Sequence, residues 1–133
     1  MKILLDTHYL IWILQGENIS RELEKMVLDP DNSIYFSIIS IWEIAIKKYS
    51  SPDKFSFSAE DVFRYAEQAG FEMLKLSVDH IFKIETLKIK VGKKEHKDPF
   101  DRLLIAQAKN EKMRFLTKDQ RIADYDEKCV LVI

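Results

Sequence analysis

Short apolar segments alternate with helical segments along almost the whole chain of 133 residues. Apolar runs of four to eight residues bounded by turn signals are typical of buried strands, whereas apolar residues spaced three and four apart indicate amphipathic helices. Parallel strands need a crossover between them, usually a helix that covers one face of the sheet. We therefore predict an α/β fold for a single domain over residues 1–133: a three-layer α/β/α sandwich around a mainly parallel sheet.

Turn and capping residues give approximate bounds for these elements. Strands are predicted at residues 2–5, 33–37, 71–76, 115–117 and 130–133. Helices are predicted at residues 7–14, 20–28, 40–49, 58–70, 78–87 and 98–109. Ser40 is the expected cap of the third helix, which is apolar on nearly every face. We expect that helix to be buried almost all round.

Composition and charge exclude several classes of protein. The 21 basic and 22 acidic residues give a net charge of −1, which argues against the broad positive surface of a non-specific nucleic-acid binder. No apolar run reaches the ~18 residues that span a bilayer, and the N-terminus lacks a signal-peptide pattern. We therefore expect a soluble, cytoplasmic protein. The single cysteine, Cys129, lies in an apolar run and is predicted to be a buried side chain.

Four acidic residues are placed where a parallel sheet brings ligands, beyond the carboxyl ends of its strands. Asp6 follows the first strand, Asp119 follows the fourth, and Asp101 lies in the first turn of a helix that packs on the sheet. Glu43 lies inside the apolar third helix, where an unpaired carboxylate is costly. An exposed pair with Lys47, four residues on, contributes only ~0.3–0.5 kcal/mol, which is too little to hold it there.

Each acid except Glu43 also has a purely structural explanation. Asp6 and Asp98 suit helix N-caps, Asp119 suits a turn, and Asp101 complements the dipole of its helix. Together, however, carboxylates ~4 Å apart repel by roughly 4 kcal/mol at an effective dielectric of about 20, and a cation relieves this repulsion. Donors that are all oxygen suit Mg²⁺ or Mn²⁺ rather than zinc. Side chains that are scattered, or that each have their own lysine or arginine, would contradict a shared site.

Four segments resemble the motifs of the PIN domain, and more narrowly those of VapC-type toxins of prokaryotic type II toxin–antitoxin pairs. These segments are Leu4–His8, Ser40–Ala45, His96–Ala108 and Leu116–Asp119. The resemblance implies a metal-binding quartet of Asp6, Glu43, Asp101 and Asp119 that holds Mg²⁺ or Mn²⁺. Asp98 ranks below these four as a further ligand. The hydroxyls expected to orient the carboxylates belong to Thr7, Ser40 and Thr117.

The function that the resemblance implies is that of a Mg²⁺-dependent endoribonuclease. A cognate antitoxin would block the acidic pocket, and a homodimer is expected. A basic segment that includes His96 precedes Asp98. The residues in this segment and just after it that are expected to hold RNA are Lys93, Lys94, Lys97 and Arg102. The main alternative is a PIN-like regulator that binds RNA or protein without catalysis. A phosphorylated sheet protein of the response-regulator kind is a third reading, but it gives Glu43 no role.

Overall fold

The computed structural model describes residues 1–95 and 97–133, and within this part of the chain five parallel strands form one sheet. The strand order is β3-β2-β1-β4-β5, and all adjacent pairs are parallel. The strands are β1 (Lys2–Leu5), β2 (Ser33–Ser37), β3 (Glu72–Leu74), β4 (Arg114–Thr117) and β5 (Val130–Val132). The predicted α/β fold is confirmed.

Helices connect the strands and end close to the predicted positions. They are α1 (Thr7–Gln15), α2 (Arg21–Leu28), α3 (Ile38–Ser50), α4 (Ala59–Gln68), α5 (Val78–Ile84) and α6 (Pro99–Glu111), with short 3₁₀ turns at Pro52–Lys54 and Gln120–Asp124. The third strand is shorter than predicted, and α5 ends three residues early. The 3₁₀ turn after β4 was not predicted. No helix of residues 1–95 or 97–133 has the length and apolar character needed to cross a membrane.

Side chains alternate across the sheet and build a core on each face. Ile3 and Leu5 of β1 pack with residues of α1, α2 and α4, whereas Leu4 between them packs with α6. The same alternation places Phe115 and Leu116 of β4 in different cores. This pattern arises because successive side chains of a strand point to opposite faces. The structure is therefore the three-layer sandwich that the sequence predicted.

The prediction for the start of α3 was wrong. The helix begins at Ile38, and the hydroxyl of Ser37 caps it by accepting a hydrogen bond of 3.0 Å from the backbone N–H of Ile39. Ser40 lies inside the first turn and is fully buried. The error is one of position, because both serines are chemically suitable as caps.

The expectation that α3 is buried all round was also wrong. Ile39 packs in the core beside α6 and Ile44 in the core beside α1, so the helix contributes to both cores. Four of its other apolar side chains form an exposed stripe at helical spacing, which consists of Ile38, Trp42, Ile46 and Tyr49. An apolar composition on every face therefore does not mean burial on every face here.

A buried polar chain fixes α3 against α6 and α5. The hydroxyl of Ser37 lies 2.5 Å from Oε1 of Gln107, and Nε2 of Gln107 lies 3.3 Å from Nδ1 of His80. That Nδ1 also accepts a hydrogen bond of 3.0 Å from the backbone N–H of Ser77. All three of these polar side chains are buried, so each needs its hydrogen-bond partners. No sequence pattern indicated these hydrogen bonds, which position the helices that carry the acids.

Candidate active site

The acidic residues gather at the carboxyl-terminal edge of the sheet. The register pairs Leu5 of β1 with Leu116 of β4, so the residues that follow these strands lie side by side. The backbone N–H of Asp6 extends this pairing with a hydrogen bond of 2.9 Å to the carbonyl of Leu116. Asp119 comes two residues after β4. Strand topology therefore places these two acids at the same edge, as predicted.

Asp6 occupies the N-cap position of α1, but its side chain makes no capping hydrogen bond within the described residues. Instead, Oδ2 accepts a hydrogen bond of 2.5 Å from the hydroxyl of Thr117. The same hydroxyl oxygen accepts a hydrogen bond of 3.1 Å from the backbone N–H of Asp119. Thr117 thus links the two acids and orients the first. The structural explanation of Asp6 as a helix cap is therefore not supported.

The carboxyl group of Asp6 lies in a setting that disfavours its charge. The residue is only 6% exposed. Burial raises the pKa of Asp6 above its usual value, while the hydrogen bond from Thr117, the charge of His8 and the backbone of Thr7 oppose this rise. The negative charge of Glu43 raises the pKa of Asp6 further. The two carboxylates therefore lie within electrostatic reach of each other.

Glu43 is buried on α3 and has a cation of its own. The residue is 5% exposed, and its Oε2 lies 2.6 Å from Nζ of Lys47. The i,i+4 pair that the sequence analysis discounted is present, with the lysine side chain 42% exposed. An ion pair with one exposed partner is screened by solvent and stabilises the protein only modestly. The pair neutralises the buried carboxylate, but the lysine can turn outward to solvent.

Two further hydroxyls connect the backbones that carry Asp6 and Glu43. The Oγ1 atom of Thr7 and the Oγ atom of Ser40 lie 2.8 Å apart, and both residues are buried. Thr7 directly follows the first acid, and Ser40 lies three residues before the second. The contact therefore fixes α3 against the start of α1. The two hydroxyls bond each other, and their expected role in orienting the carboxylates stays a prediction.

The remaining acids lie around an arginine that the sequence analysis did not consider. The guanidinium of Arg121 donates to Asp119 through Nη2 at 2.8 Å and Nε at 3.1 Å. The hydrogen bond and charge of Asp119 raise the pKa of Arg121, and the charges of Asp101 and Asp98 add to this rise. The sequence signal that could have indicated this contact is an arginine two residues after an acid at the end of a strand.

Asp98 has the structural role that its sequence suggested. Its Oδ1 accepts hydrogen bonds from the backbone N–H groups of Phe100 at 2.9 Å and Asp101 at 3.4 Å, and so caps α6. Asp101 then lies in the first turn of the helix. An acid there is stabilised by the helix dipole. The start of α6 thus brings two carboxylates to the same edge as Asp119.

Lysines of the basic segment are exposed, but its arginine is engaged. Lys93, Lys94 and Lys97 are exposed to solvent. Nη2 of Arg102 lies 2.6 Å from Oε1 of Glu95. His96, which the sequence analysis placed in this segment, lies outside the described residues. Three of the four expected RNA contacts are therefore accessible.

Comparison with known proteins identifies the family. A family model for the PIN domain matches residues 3–128, which is nearly the whole chain. The chain belongs to the PIN domain family. A search of curated proteins gives no match. The family-level resemblance inferred from the motifs is confirmed.

Solved structures of similar fold come from toxin–antitoxin complexes. VapBC2 from Rickettsia felis, bound to a DNA fragment from its promoter, matches with a TM-score of 0.70 and 17% identity, covering 100% of this chain and 98% of the other. DNA-bound VapBC from Salmonella typhimurium matches with a TM-score of 0.68 and 15% identity, covering 99% of this chain and 98% of the other. A toxin–antitoxin complex from Klebsiella pneumoniae matches with a TM-score of 0.59 and 21% identity, covering 98% of this chain and 96% of the other. At these identities the likeness shows the fold.

The candidate metal ligands of this PIN domain are of the chemical type that a hard divalent cation prefers. They are carboxylate oxygens, and Asp6 forms no ion pair with a lysine or arginine of the described chain. Within residues 1–95 and 97–133, however, no three His, Cys, Asp or Glu side chains are arranged to hold a metal ion. Glu43 and Asp119 each bind a cation of the chain instead. A metal would have to displace Lys47 and Arg121 from these oxygens.

Proposed function

We propose that this PIN domain is a Mg²⁺-dependent endoribonuclease, the toxin of a type II toxin–antitoxin pair. The observation that carries the proposal is the buried carboxylate of Asp6, which has the charge of Glu43 nearby and a hydroxyl rather than a cation as its partner. Such a group destabilises the fold unless a ligand uses it. Membership of the PIN family and the position at the carboxyl edge of a parallel sheet support a metal-binding role.

The chain's own residues divide the work of metal binding. Asp6 and Asp101 would be the principal ligands, Glu43 would bind beside them, and Asp119 would act through a water molecule. Asp98 is a weaker candidate because its oxygen caps α6. When bound, Mg²⁺ or Mn²⁺ activates water and neutralises charge on the phosphate. The hydroxyl of Thr117 orients Asp6 by a direct hydrogen bond, whereas Thr7 and Ser40 bond each other and act on the acids only through the backbone.

Substrate binding is assigned to the basic segment next to α6. Exposed Lys93, Lys94 and Lys97 hold the RNA backbone by charge, which makes binding sensitive to salt. Arg102 joins them only if its contact with Glu95 is exchanged for a phosphate. These contacts carry no base specificity, because phosphates are the same in every sequence.

The test of this function is RNA cleavage by the Asp101→Asn variant. We expect wild-type protein to cleave RNA in Mg²⁺ and not in EDTA, and the variant to lose at least about a hundredfold in rate, because a metal contributes several kcal/mol and each 1.36 kcal/mol is a factor of ten. Asp79→Asn, in the first turn of α5, is the matched control and should cleave normally. Cleavage by wild-type protein that persists in EDTA would falsify the metal mechanism. No cleavage under any condition would favour the non-catalytic regulator.

An antitoxin partner and a homodimer belong to the same proposal. The three solved structures compared above are complexes of toxin with antitoxin. The exposed apolar stripe of α3 and the exposed side chains of Val78 and Phe82 on α5 are surfaces that a partner would cover. Purification from the native host tests this. Recovery of an isolated monomer, with no small protein bound, would contradict both expectations.

A further inference from the structure

A cavity of about 690 Å³ lies at the opposite edge of the sheet from the acids. Arg114 at the start of β4 lines it, as do Lys112 after α6 and Lys128 just before β5. β4 spans four residues, or about 13 Å, between this edge and the acidic one. The cavity is therefore separate from the candidate active site.

Positive charge dominates the lining of this cavity. Five basic side chains face it, against the two acidic side chains of Asp126 and Glu127; the basic residues are Lys88, Lys109, Lys112, Arg114 and Lys128. Glu127 lies 2.7 Å from Nζ of Lys109, and this pair leaves four basic side chains against Asp126. Burial raises the pKa of the Cys129 thiol to about 11, so that side chain adds no negative charge near neutral pH.

Arg114 is the residue that a purely structural explanation leaves without a role. Its Nε is buried and has no hydrogen-bond partner among the residues that the structure describes. No carboxylate in that part of the chain forms an ion pair with it. The negative end of the α6 dipole favours Lys109 and Lys112, but it does not explain cations at β4 and before β5. A guanidinium without a carboxylate partner is suited to bind an anion.

We propose that this cavity binds a small phosphorylated ligand through its phosphate groups. Its volume lies within the roughly 300–1,000 Å³ of small-molecule sites. Recognition rests on these cations, because Ala108 is fully buried and Met113 is only 4% exposed. Arg114 and Lys128 hold the phosphates. The proposal does not depend on ribonuclease activity, because it uses none of the acids at the other edge.

The test is calorimetric titration of the full chain with ADP in EDTA, which removes binding that needs a divalent ion. We expect ADP to bind, adenosine not to bind, and pyrophosphate to compete with ADP. Arg114→Gln and Lys128→Gln should each weaken ADP binding about tenfold, the effect of losing one charge-assisted hydrogen bond. Lys25→Gln, an exposed lysine on α2, is the matched control and should bind ADP as wild type does.

Further measurements test whether the effect depends on charge and whether each variant is folded. Arg114→Lys retains the charge and should recover most of the affinity, and circular dichroism checks that each variant is folded. If Arg114→Gln does not fold, Lys128→Gln alone decides, because that side chain is exposed. The proposal is overturned if ADP does not bind, if adenosine binds equally well, or if only an RNA oligomer binds. It is also overturned if Lys25→Gln weakens binding as much as the cavity variants do.

Discussion

Replacing Asp6 with Asn is expected to reduce Mg²⁺-dependent RNA cleavage at least about a hundredfold while raising the thermal unfolding midpoint in EDTA. Cleavage falls because a metal ligand is lost, and several kcal/mol of transition-state stabilisation corresponds to more than two powers of ten. Stability rises because the folded protein no longer buries this charge, whereas the hydrogen bond from Thr117 can be kept by the Asn oxygen. Opposite changes in activity and stability are typical of residues retained for function.

The pH dependence gives the sign of the stability effect. Because burial raises the pKa of Asp6 in the folded protein above its unfolded value near 3.8, the folded state binds the proton more tightly. The free energy of unfolding in EDTA should therefore fall as the pH rises from about 4 through the folded pKa. Asp6→Asn should remove this component of the pH profile, and Asp53→Asn, an exposed control, should not. A lower midpoint for Asp6→Asn than for wild type at neutral pH would contradict the argument.

Replacing Lys47 with Met is expected to make the stability of the protein depend strongly on divalent ions. In EDTA the buried Glu43 carboxylate loses its partner at 2.6 Å, and the protein should lose about 1–3 kcal/mol of unfolding free energy. With Mn²⁺ present, the carboxylate is available to the ion without competition from the lysine. Thermal unfolding with increasing Mn²⁺ should therefore show a larger rise in midpoint for the variant than for wild type.

Lys48→Met is the matched control for this experiment. Lys48 is the next residue on α3, and its Nζ bonds the backbone carbonyls of Pro52 and Phe55 rather than an acid. Its loss should lower stability without changing the response to Mn²⁺. An equal Mn²⁺ response in wild type and both variants would mean that Glu43 is not a ligand. The lysine pair would then be its full explanation.

Strand and helix positions were predictable because they depend on local periodicity. The alternation of Ile3, Leu4 and Leu5 between two cores follows from the geometry of a strand buried on both faces. The placement of Asp6 and Asp119 at one edge follows from the parallel order of β1 and β4. The cap of α3 was not predictable, since Ser37 and Ser40 carry the same chemistry and only tertiary packing distinguishes them.

The partners of the acids were less predictable than their positions. The i,i+4 spacing of Glu43 and Lys47 allowed an ion pair to be predicted. The pair was discounted because α3 was expected to be buried on every face, whereas one face of the helix, including much of the Lys47 side chain, is exposed. The bidentate contact of Arg121 with Asp119 arises in a 3₁₀ turn that no periodicity indicated. Thr117 was expected to orient a carboxylate, and its contact with Asp6 required the register of two strands distant in sequence.

Anomalous diffraction from crystals soaked in Mn²⁺ examines the metal site directly. A shared metal site requires a peak bounded by carboxylate oxygens of Asp6 and Glu43, with Nζ of Lys47 displaced from its present contact. If Lys47 still binds Glu43 at saturating Mn²⁺ and no peak lies at the carboxyl edge of the sheet, these acids do not form a metal site.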